Sequence, residues 1–437
     1  MNYKYFPHTD SDVQAMLKRI GVNTTDDLYA DIPDGIRFNG DYQLPSEMSE
    51  IEVRQLFSQL GSQNRPLTCY AGAGVYDHYT PAVIPQLLQR SELLTSYTPY
   101  QAEISQGTLH YIFEFQSMMA ELTGLDISNA SMYDGTTASA EAMMMAVNAG
   151  KKQRRFLVSE TVDPKTIKVM STYAHFQGIS LEMVKSDHGV TDRKDLSEKL
   201  ENGDVAGVMV QQPNYFGIVE DYDGFAQTAH SRKALFVVNA PAADLAVLKT
   251  PAEWGADIAC GDAQSLGIPM QWGGPYVGYL CCTEKLMRKM PGRIVGKTID
   301  SRGQRAFVLT LQAREQHIRR QKATSNICSN QSLMALWATV YCSLMGRQGL
   351  REAAELSFAG AHYLCDALVA TGHFDRVYDQ PFFNEFVVSY DGDVDHLQKK
   401  MVDNGILFGV KVGEGQIMIA VTERRTKDEI DRLISLI

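Results

Sequence analysis

The sequence has neither an excess of positive charge nor an apolar run long enough to cross a membrane. Its 437 residues include 52 acidic and 41 basic side chains, which give a net charge of -11. This charge repels the phosphate backbone of nucleic acid and provides no basic patch for an anionic lipid surface. The first residues also lack the pattern of a targeting signal. We therefore expect a cytoplasmic protein that binds a small molecule and has neither nucleic acid nor a membrane as a partner.

Recognisable metal, disulfide and hydrolase motifs are missing as well. None of the ten histidines forms HExxH, no GxSxG is present, and we expect no metal. The Gly-Ala-Gly at 72–74 is followed by Asp77 where a dinucleotide motif needs glycine, and Pro291 stands at the first position of a P-loop-like sequence ending at Thr298. The cysteines are odd in number without CxxC spacing, which indicates reduced thiols: Cys69, Cys260, Cys281, Cys282, Cys328, Cys342 and Cys365.

The pattern of apolar residues predicts an α/β protein. Helical and strand-like segments alternate from residue 138 with short connections, which is typical of a mainly parallel sheet flanked by helices. The predicted strands lie at 155–158, 180–184, 206–211 and 235–239. A long helix from residue 332 then leads into a small α+β region. We expect a peripheral helical segment at 1–70 that wraps the body, a large α/β domain at 71–330, and the long helix with a small domain at 331–437.

One loop of the predicted sheet could bind an anion. Residues 134–139 (Asp-Gly-Thr-Thr-Ala-Ser) precede an alanine- and methionine-rich helix, where free backbone N–H groups and hydroxyls converge. Ordinary capping of this helix by Asp134 or Thr137 explains the same residues. The sequence leaves both readings open.

A second loop is informative because it contains no lysine. In pyridoxal-phosphate enzymes with this order of elements, the lysine that holds the cofactor follows the strand that ends here at Asn239. No lysine occurs between Lys249 and Lys285. Asn239 also stands where such enzymes place an aspartate, and a neutral amide cannot keep the pyridine nitrogen protonated. Both functions that hold this cofactor are therefore missing together.

Five long strings of residues carry a resemblance to a known family. The chain closely resembles the first, or α, subunits of the two-subunit glycine dehydrogenase (decarboxylating), the P-protein of the glycine cleavage system. The strings are spread over nearly the whole chain and occur in the same order as in the family: 5–9, 68–74, 98–107, 131–138 and 314–328.

The resemblance implies a pyridoxal-phosphate enzyme of fold type I, the aspartate-aminotransferase type, with a small C-terminal α+β domain. It implies a β subunit that holds the lysine and the cofactor, paired with this chain in an (αβ)2 assembly. The complete enzyme decarboxylates glycine, releases CO2 and passes the aminomethyl group to the lipoyl arm of the H-protein. This chain is then the subunit that has lost its lysine, near Gln264, and carries no catalytic residue of its own.

The resemblance also suggests residues that reach the partner's site. Ser96, Tyr97, Tyr100 and Gln101 are candidates for binding glycine or orienting the lipoyl thiol, although a loop rich in tyrosine and proline can equally be interface packing. A second group is expected to reach the partner's cofactor phosphate or to line the entrance of the arm, and its alternative is a solvated cationic helix face: Arg319, Arg320, Lys322, Thr324, Ser325 and Asn326.

Two other functions remain open from the sequence. The chain could be an independent pyridoxal-phosphate enzyme that uses another lysine, such as Lys285 or Lys297. It could also be a scaffold that stabilises the β subunit without touching substrate. Labelling of a lysine on this chain would support the first alternative, and unchanged turnover after substitution of Tyr100 and Gln101 would support the second.

Overall fold

A computed structural model describes residues 7–38, 40–150, 152–201, 203–271 and 273–437. Tyr5 and Phe6, part of the first family string, lie outside the described residues. The chain divides into two compact units between Arg65 and Pro66. The boundaries at residues 70 and 330 remain predictions.

Several helices begin at a residue whose side chain caps the helix N-terminus. In the N-terminal unit, Thr9 and Ser49 each form a reciprocal capping box with the third residue of the helix that follows. The α-helices are α1 (Asp10–Ile20), α2 (Glu50–Ser62), α3 (Val83–Leu88), α4 (Ser91–Leu94), α5 (Gln106–Thr123), α6 (Gly135–Ala149), α7 (Pro164–Gln177), α8 (Arg193–Leu200), α9 (Phe225–Ser231), α10 (Gln316–Arg319), α11 (Ser332–Ala370), α12 (Val394–Asp403) and α13 (Lys427–Ile434).

The strands all lie in the second unit within the described residues. They are β1 (Thr68–Cys69), β2 (Ile127–Ser128), β3 (Arg155–Ser159), β4 (Ser180–Val184), β5 (Ser186–Asp187), β6 (Val190–Thr191), β7 (Val205–Gln211), β8 (Leu235–Asn239), β9 (Ile258–Asp262), β10 (Gly278–Cys282), β11 (Ile294–Ile299), β12 (Arg305–Thr310), β13 (Phe374–Arg376), β14 (Glu385–Tyr390), β15 (Ile406–Leu407), β16 (Val410–Gly413) and β17 (Gln416–Ala420).

The main sheet has seven strands in the order β2-β10-β9-β8-β7-β3-β4. Strands β9, β8, β7, β3 and β4 pair in parallel, whereas β10 is antiparallel to both of its neighbours. Alternate residues of β3, β7 and β8 pack on opposite faces, one face against α6 and α7 and the other against α8 and α9. Burial on both faces explains why these strands read as continuous apolar runs. The prediction of a mainly parallel sheet between helices is confirmed.

A smaller antiparallel sheet follows the long helix. Its order is β13-β14-β17-β16, and its apolar side chains pack with those of the C-terminal half of α11 and of α12 and α13. Gly346 interrupts α11 with a positive φ of 58° and an extended ψ, a backbone conformation that favours glycine. This change of direction inside the long helix was not predicted from the sequence.

Candidate functional site

A cavity of about 250 Å3 opens at the carboxyl ends of the parallel strands. Gln211, Asn239 and Asp262 are the last residues of β7, β8 and β9, and all three line it. This edge is where open α/β sheets bind their ligands. Residues 73–76 and Glu385, the first residue of β14, complete the wall.

Two carboxylates accept hydrogen bonds from two of the backbone donors at the start of α6. Asp262 accepts hydrogen bonds from the backbone N–H groups of Gly135 at 3.0 Å and of Gln264 at 2.7 Å. Asp134 is the N-cap, and its carboxylate accepts from the N–H of Thr137 at 2.7 Å. An anion-binding helix start would need these donors free. Here the chain's own acidic side chains occupy two of them, the N–H groups of Gly135 and Thr137.

Close approach of two backbones makes this arrangement possible. A Cβ atom on Gly135 would lie 2.7 Å from the backbone nitrogen of Asp262, so only glycine fits there. Burial raises the pKa of Asp262 to about 6, and the nearby charge of Asp134 adds to this rise. Two acidic side chains, Asp134 and Asp262, therefore lie close together at the start of α6.

Gln264, near the expected position of the lysine, has a structural role. Its buried side chain accepts a hydrogen bond from the N–H of Tyr76 at 3.0 Å and donates to the carbonyls of Tyr76 at 2.8 Å and of Ile268 at 2.7 Å. The amide thus joins the loop before α3 to the loop after β9. Neither Lys285 nor Lys297 lines the cavity, and among its described lining residues the one lysine is the exposed Lys165.

Asn239 faces the cavity from the end of β8. Its Nδ2 donates to the Ser139 hydroxyl at 3.1 Å, and that hydroxyl donates to the carbonyl of Gly135 at 2.9 Å. The neutral amide is therefore held by hydrogen bonds to α6. It supplies no negative charge at this position.

A second cluster forms around a buried arginine. Arg293 is 3% exposed and donates from Nη2 to the Tyr100 hydroxyl at 3.0 Å, with its guanidinium 5.0 Å from the centroid of that ring. Its Nε lies 3.6 Å from the buried carboxylate of Glu315. The His317 ring stands edge-on to Tyr100, with 6.0 Å between centroids. The structure thus joins the loop containing Tyr100 to the segment 314–328.

The other predicted site residues lie outside the cavity at the strand ends. Tyr97 is 85% exposed, Gln101 is exposed, and the Ser96 hydroxyl lies 3.1 Å from that of Thr108. The residues of the second group are exposed apart from the half-buried Ser325: Arg319, Arg320, Lys322, Thr324, Ser325 and Asn326. Thr324 and Ser325 line a small cavity of about 10 Å3 beside Arg293 and Glu315.

Glu141, inside α6, was not singled out from the sequence. It is almost completely buried, and its Oε1 has no hydrogen-bond partner among the described residues. Burial raises the pKa of this carboxyl to about 7, and the neighbouring Ser325 hydroxyl offsets this only in part. The folded pKa lies above the ordinary value, so the protonated Glu141 carboxyl is favoured by folding. The stability that it contributes is fully present at low pH, and the free energy of unfolding falls as the pH rises from about 4.5 to 7.

Replacing Glu141 with glutamine is expected to raise the free energy of unfolding by on the order of 2 to 3 kcal/mol at pH 8, since the amide cannot ionise. The gain should shrink steadily as the pH is lowered toward 5. Urea unfolding of both proteins across this range measures it. Exposed Glu121 replaced with glutamine serves as the control, with little effect at any pH. A gain that did not change with pH would show that packing, not ionisation, is responsible.

Neither a metal centre nor a membrane span is found in the described part of the chain. No group of three or more histidine, cysteine, aspartate or glutamate side chains is placed to bind a metal ion there. Across the same residues, no helix has the length and apolar character to span a bilayer.

Comparison with solved structures defines the fold. The chain superimposes on a sphingosine-1-phosphate lyase from Burkholderia pseudomallei with a TM-score of 0.67 at 14% identity, covering 92% of this chain and 93% of that one. It superimposes on an alanine–glyoxylate aminotransferase from Nostoc sp. with a TM-score of 0.62 at 14% identity, covering 92% and 98%. The fold is that of the pyridoxal-phosphate enzymes of fold type I, as expected.

Sequence comparison then identifies the family. Residues 3–437 match the glycine cleavage system P-protein family. Proteins called probable glycine dehydrogenase (decarboxylating) subunit 1 are 46% identical in Anoxybacillus flavithermus, covering 99% of this chain and 98% of the relative, and 48% in Bacillus cereus, covering 100% and 99%. A solved glycine decarboxylase (P-protein) of the glycine cleavage system, in inhibitor-bound form, has a TM-score of 0.90 and 40% identity over 100% of this chain and 99% of that one.

The chain therefore belongs to the glycine cleavage system P-protein family, and the resemblance found in the sequence is confirmed. Its function, as one subunit of a glycine dehydrogenase (decarboxylating), is that of the family. The designation subunit 1, shared by these relatives, implies a second subunit.

The cofactor of this fold does not fit the cleft of this chain. The Gln264 amide is fixed by backbone groups and provides no amine for a Schiff base. Asn239 supplies no charge opposite a pyridine nitrogen. The carboxylates of Asp134 and Asp262 accept from two of the N–H groups at the helix start where a phosphate would bind, and their charge repels it. The three features concern three different parts of the cofactor, and all three oppose binding.

Proposed function

We propose that this chain is the P-protein subunit without a cofactor of its own, and that the second subunit holds pyridoxal phosphate. The single observation that supports this best is the cleft at the strand ends, where Gln264 and Asp262 are engaged by the chain's own backbone. In this proposal the chain completes the partner's site, in which glycine loses CO2 and its aminomethyl group passes to the lipoyl arm of the H-protein. We further propose a cytoplasmic (αβ)2 assembly.

Tyr100 is the side chain on this subunit best suited to contact the substrate. Arg293 donates to its phenolic oxygen, and because arginine has no acceptor, the phenolic hydrogen remains available to another group. Tyr100 is 52% exposed, so the acceptor can come from outside this chain. A glycine carboxylate is such an acceptor. In this role Arg293 is a positioning residue, because its hydrogen bond fixes the orientation of the Tyr100 hydroxyl.

The exposed residues around Tyr100 extend the same surface. Tyr97 and Gln101 offer further hydrogen-bonding groups on its loop. The cationic side chains of Arg319, Arg320 and Lys322 follow the His317 that packs edge-on to Tyr100. We propose that, together with Thr324, Ser325 and Asn326, they line the entrance used by the lipoyl arm or reach the partner's cofactor phosphate.

Apolar side chains exposed on the N-terminal unit support a role within an assembly. Ile20, Ile36, Tyr42, Leu44 and Phe57 are all mostly exposed in this chain. Large apolar side chains left exposed in such number within one small unit are typical of subunit interfaces. We propose that the second subunit covers these side chains.

Reconstitution tests the proposal. This chain and subunit 2 are purified separately, mixed, and assayed for glycine-dependent release of CO2 with and without lipoylated H-protein. We expect release only from the mixture, and borohydride trapping should label a lysine of subunit 2. Label on Lys165, Lys285 or Lys297 of this chain would identify an independent pyridoxal-phosphate enzyme instead.

Replacing Tyr100 with phenylalanine is expected to lower the turnover of the reconstituted enzyme by about 10- to 100-fold, because one hydrogen bond to a charged group is lost. Assembly with subunit 2, followed by gel filtration, should not change. Exposed Tyr79 replaced with phenylalanine is the matched control and should retain full turnover. Normal turnover of the Tyr100 variant would favour a subunit that acts only as a scaffold.

A further inference from the structure

The cavity at the strand ends is electrostatically suited to a cation. Four carboxylates line it, those of Asp134, Asp163, Asp262 and Glu385, against the single amine of Lys165 among the described residues. Low-dielectric walls concentrate the field of such charges inside a cleft. An anion is repelled from this cavity, and a positively charged ligand is attracted.

An unpartnered acceptor points to the kind of cation. Asn239 is 8% exposed, and its orientation is fixed because Ser139 uses its single hydrogen on the carbonyl of Gly135 and must accept from Asn239 Nδ2. Oδ1 is thereby left toward the cavity that Asn239 lines, with no partner among the described residues. An amide oxygen that is open to a cavity in this way can accept an N–H or O–H donor from a ligand.

A second largely buried residue at the same wall also carries a hydroxyl without a partner in the described part of the chain. Thr166, in the first turn of α7, is buried and lines the cavity, and no described residue makes a hydrogen bond with its hydroxyl. Glu385 is held in place by the backbone N–H of Ala73 at 2.7 Å and by the Tyr76 hydroxyl at 2.9 Å. The cavity therefore combines fixed carboxylates with acceptors that remain free.

We propose that this cleft binds a small primary ammonium compound, which donates to Asn239 Oδ1 and pairs with the cleft carboxylates. An ammonium group has three donors and a full positive charge, so it matches both features at once. A cavity of about 250 Å3 accommodates only a small molecule. The site is separate from the glycine site proposed for the partner subunit, so its test needs neither subunit 2 nor turnover.

Calorimetric titration of the purified full chain tests the proposal, with ethylammonium chloride as the probe at pH 8 and constant ionic strength. We expect saturable binding at one site per chain. Tetramethylammonium, which has the charge without N–H donors, should bind at least tenfold more weakly, and inorganic phosphate should not saturate. Absence of saturable ethylammonium binding, or equal binding of tetramethylammonium, would overturn the proposal.

Three variants locate the site. Asn239→Leu removes the acceptor and should weaken ethylammonium binding at least tenfold, whereas Asn239→Asp adds charge at the same position and should strengthen it about tenfold. A variant that binds more tightly cannot be explained by misfolding. Asp187→Asn removes an exposed carboxylate outside the cavity and should bind like the unchanged chain. Unchanged affinity in both Asn239 variants would place the cation elsewhere and refute the assignment.

Discussion

Replacing Gln264 with leucine is expected to lower the free energy of unfolding by about 2 to 5 kcal/mol. The substitution leaves two buried backbone groups without partners, the N–H of Tyr76 and the carbonyl of Ile268, while the carbonyl of Tyr76 keeps only the N–H of His78 at 3.0 Å. Each unsatisfied buried group costs about 1 to 3 kcal/mol, and relaxation of the two loops recovers part of the sum. Chemical unfolding of the full chain measures the change.

Two further substitutions separate hydrogen bonding from packing at this position. Gln264→Glu keeps the bond from the N–H of Tyr76 and loses both donors, so a charged carboxylate faces two carbonyls and the loss should be as large as for leucine. Gln177→Leu, at the exposed end of α7, is the control and should change stability by less than about 0.5 kcal/mol. A similarly small loss for Gln264→Leu would contradict the structural role.

The residue near the expected position of the lysine, Gln264, has a structural role of its own. A subunit that had merely lost its catalytic amine would leave a gap at that place. Here the Gln264 amide joins two loops by hydrogen bonds and contributes stability, and neighbouring carboxylates accept from two of the donors of α6. Reversal of a single substitution is therefore insufficient to restore a cofactor site.

The parallel strands were predictable because burial on both faces leaves a local signal. The bounds predicted for 180–184 and 235–239 agree with β4 and β8. Strand β10 was missed, although residues 278–282 are apolar, because its antiparallel pairing with β9 and β2 depends on a distant segment of chain. The kink of α11 at Gly346 was missed because a single glycine within a helical pattern is usually tolerated.

The candidate site was predictable only where one segment carries the information. Asn239 and the absence of lysine near Gln264 can be read from a single stretch of sequence. The hydrogen bond from Gly135 to Asp262 joins residues 127 positions apart, and that from Arg293 to Tyr100 joins residues 193 positions apart. No local pattern shows which polar group meets which. A charged residue at the end of a buried strand, as at Asp262, was the one available signal.

Replacing Arg293 with methionine is expected to lower the free energy of unfolding by about 3 to 5 kcal/mol, the usual cost of leaving the other member of a buried ion pair uncompensated. The group that loses its cationic partner is the buried carboxylate of Glu315, 3.6 Å from Arg293 Nε. The double variant Arg293→Met with Glu315→Gln should recover most of this loss, because neither charge then remains. Exposed Arg302→Met is the control and should have little effect. Chemical unfolding of the full chain measures all three.

The double variant also separates stability from function. If Arg293 acts by orienting Tyr100, restored stability should not restore turnover, because the donor to the Tyr100 oxygen is still absent. Combining the double variant with Tyr100→Phe should then cause little further loss, since residues that act as one unit are not additive. Full turnover in the stable double variant would show that Arg293 serves only to neutralise Glu315. Tyr100 would then act without the hydrogen bond from Arg293.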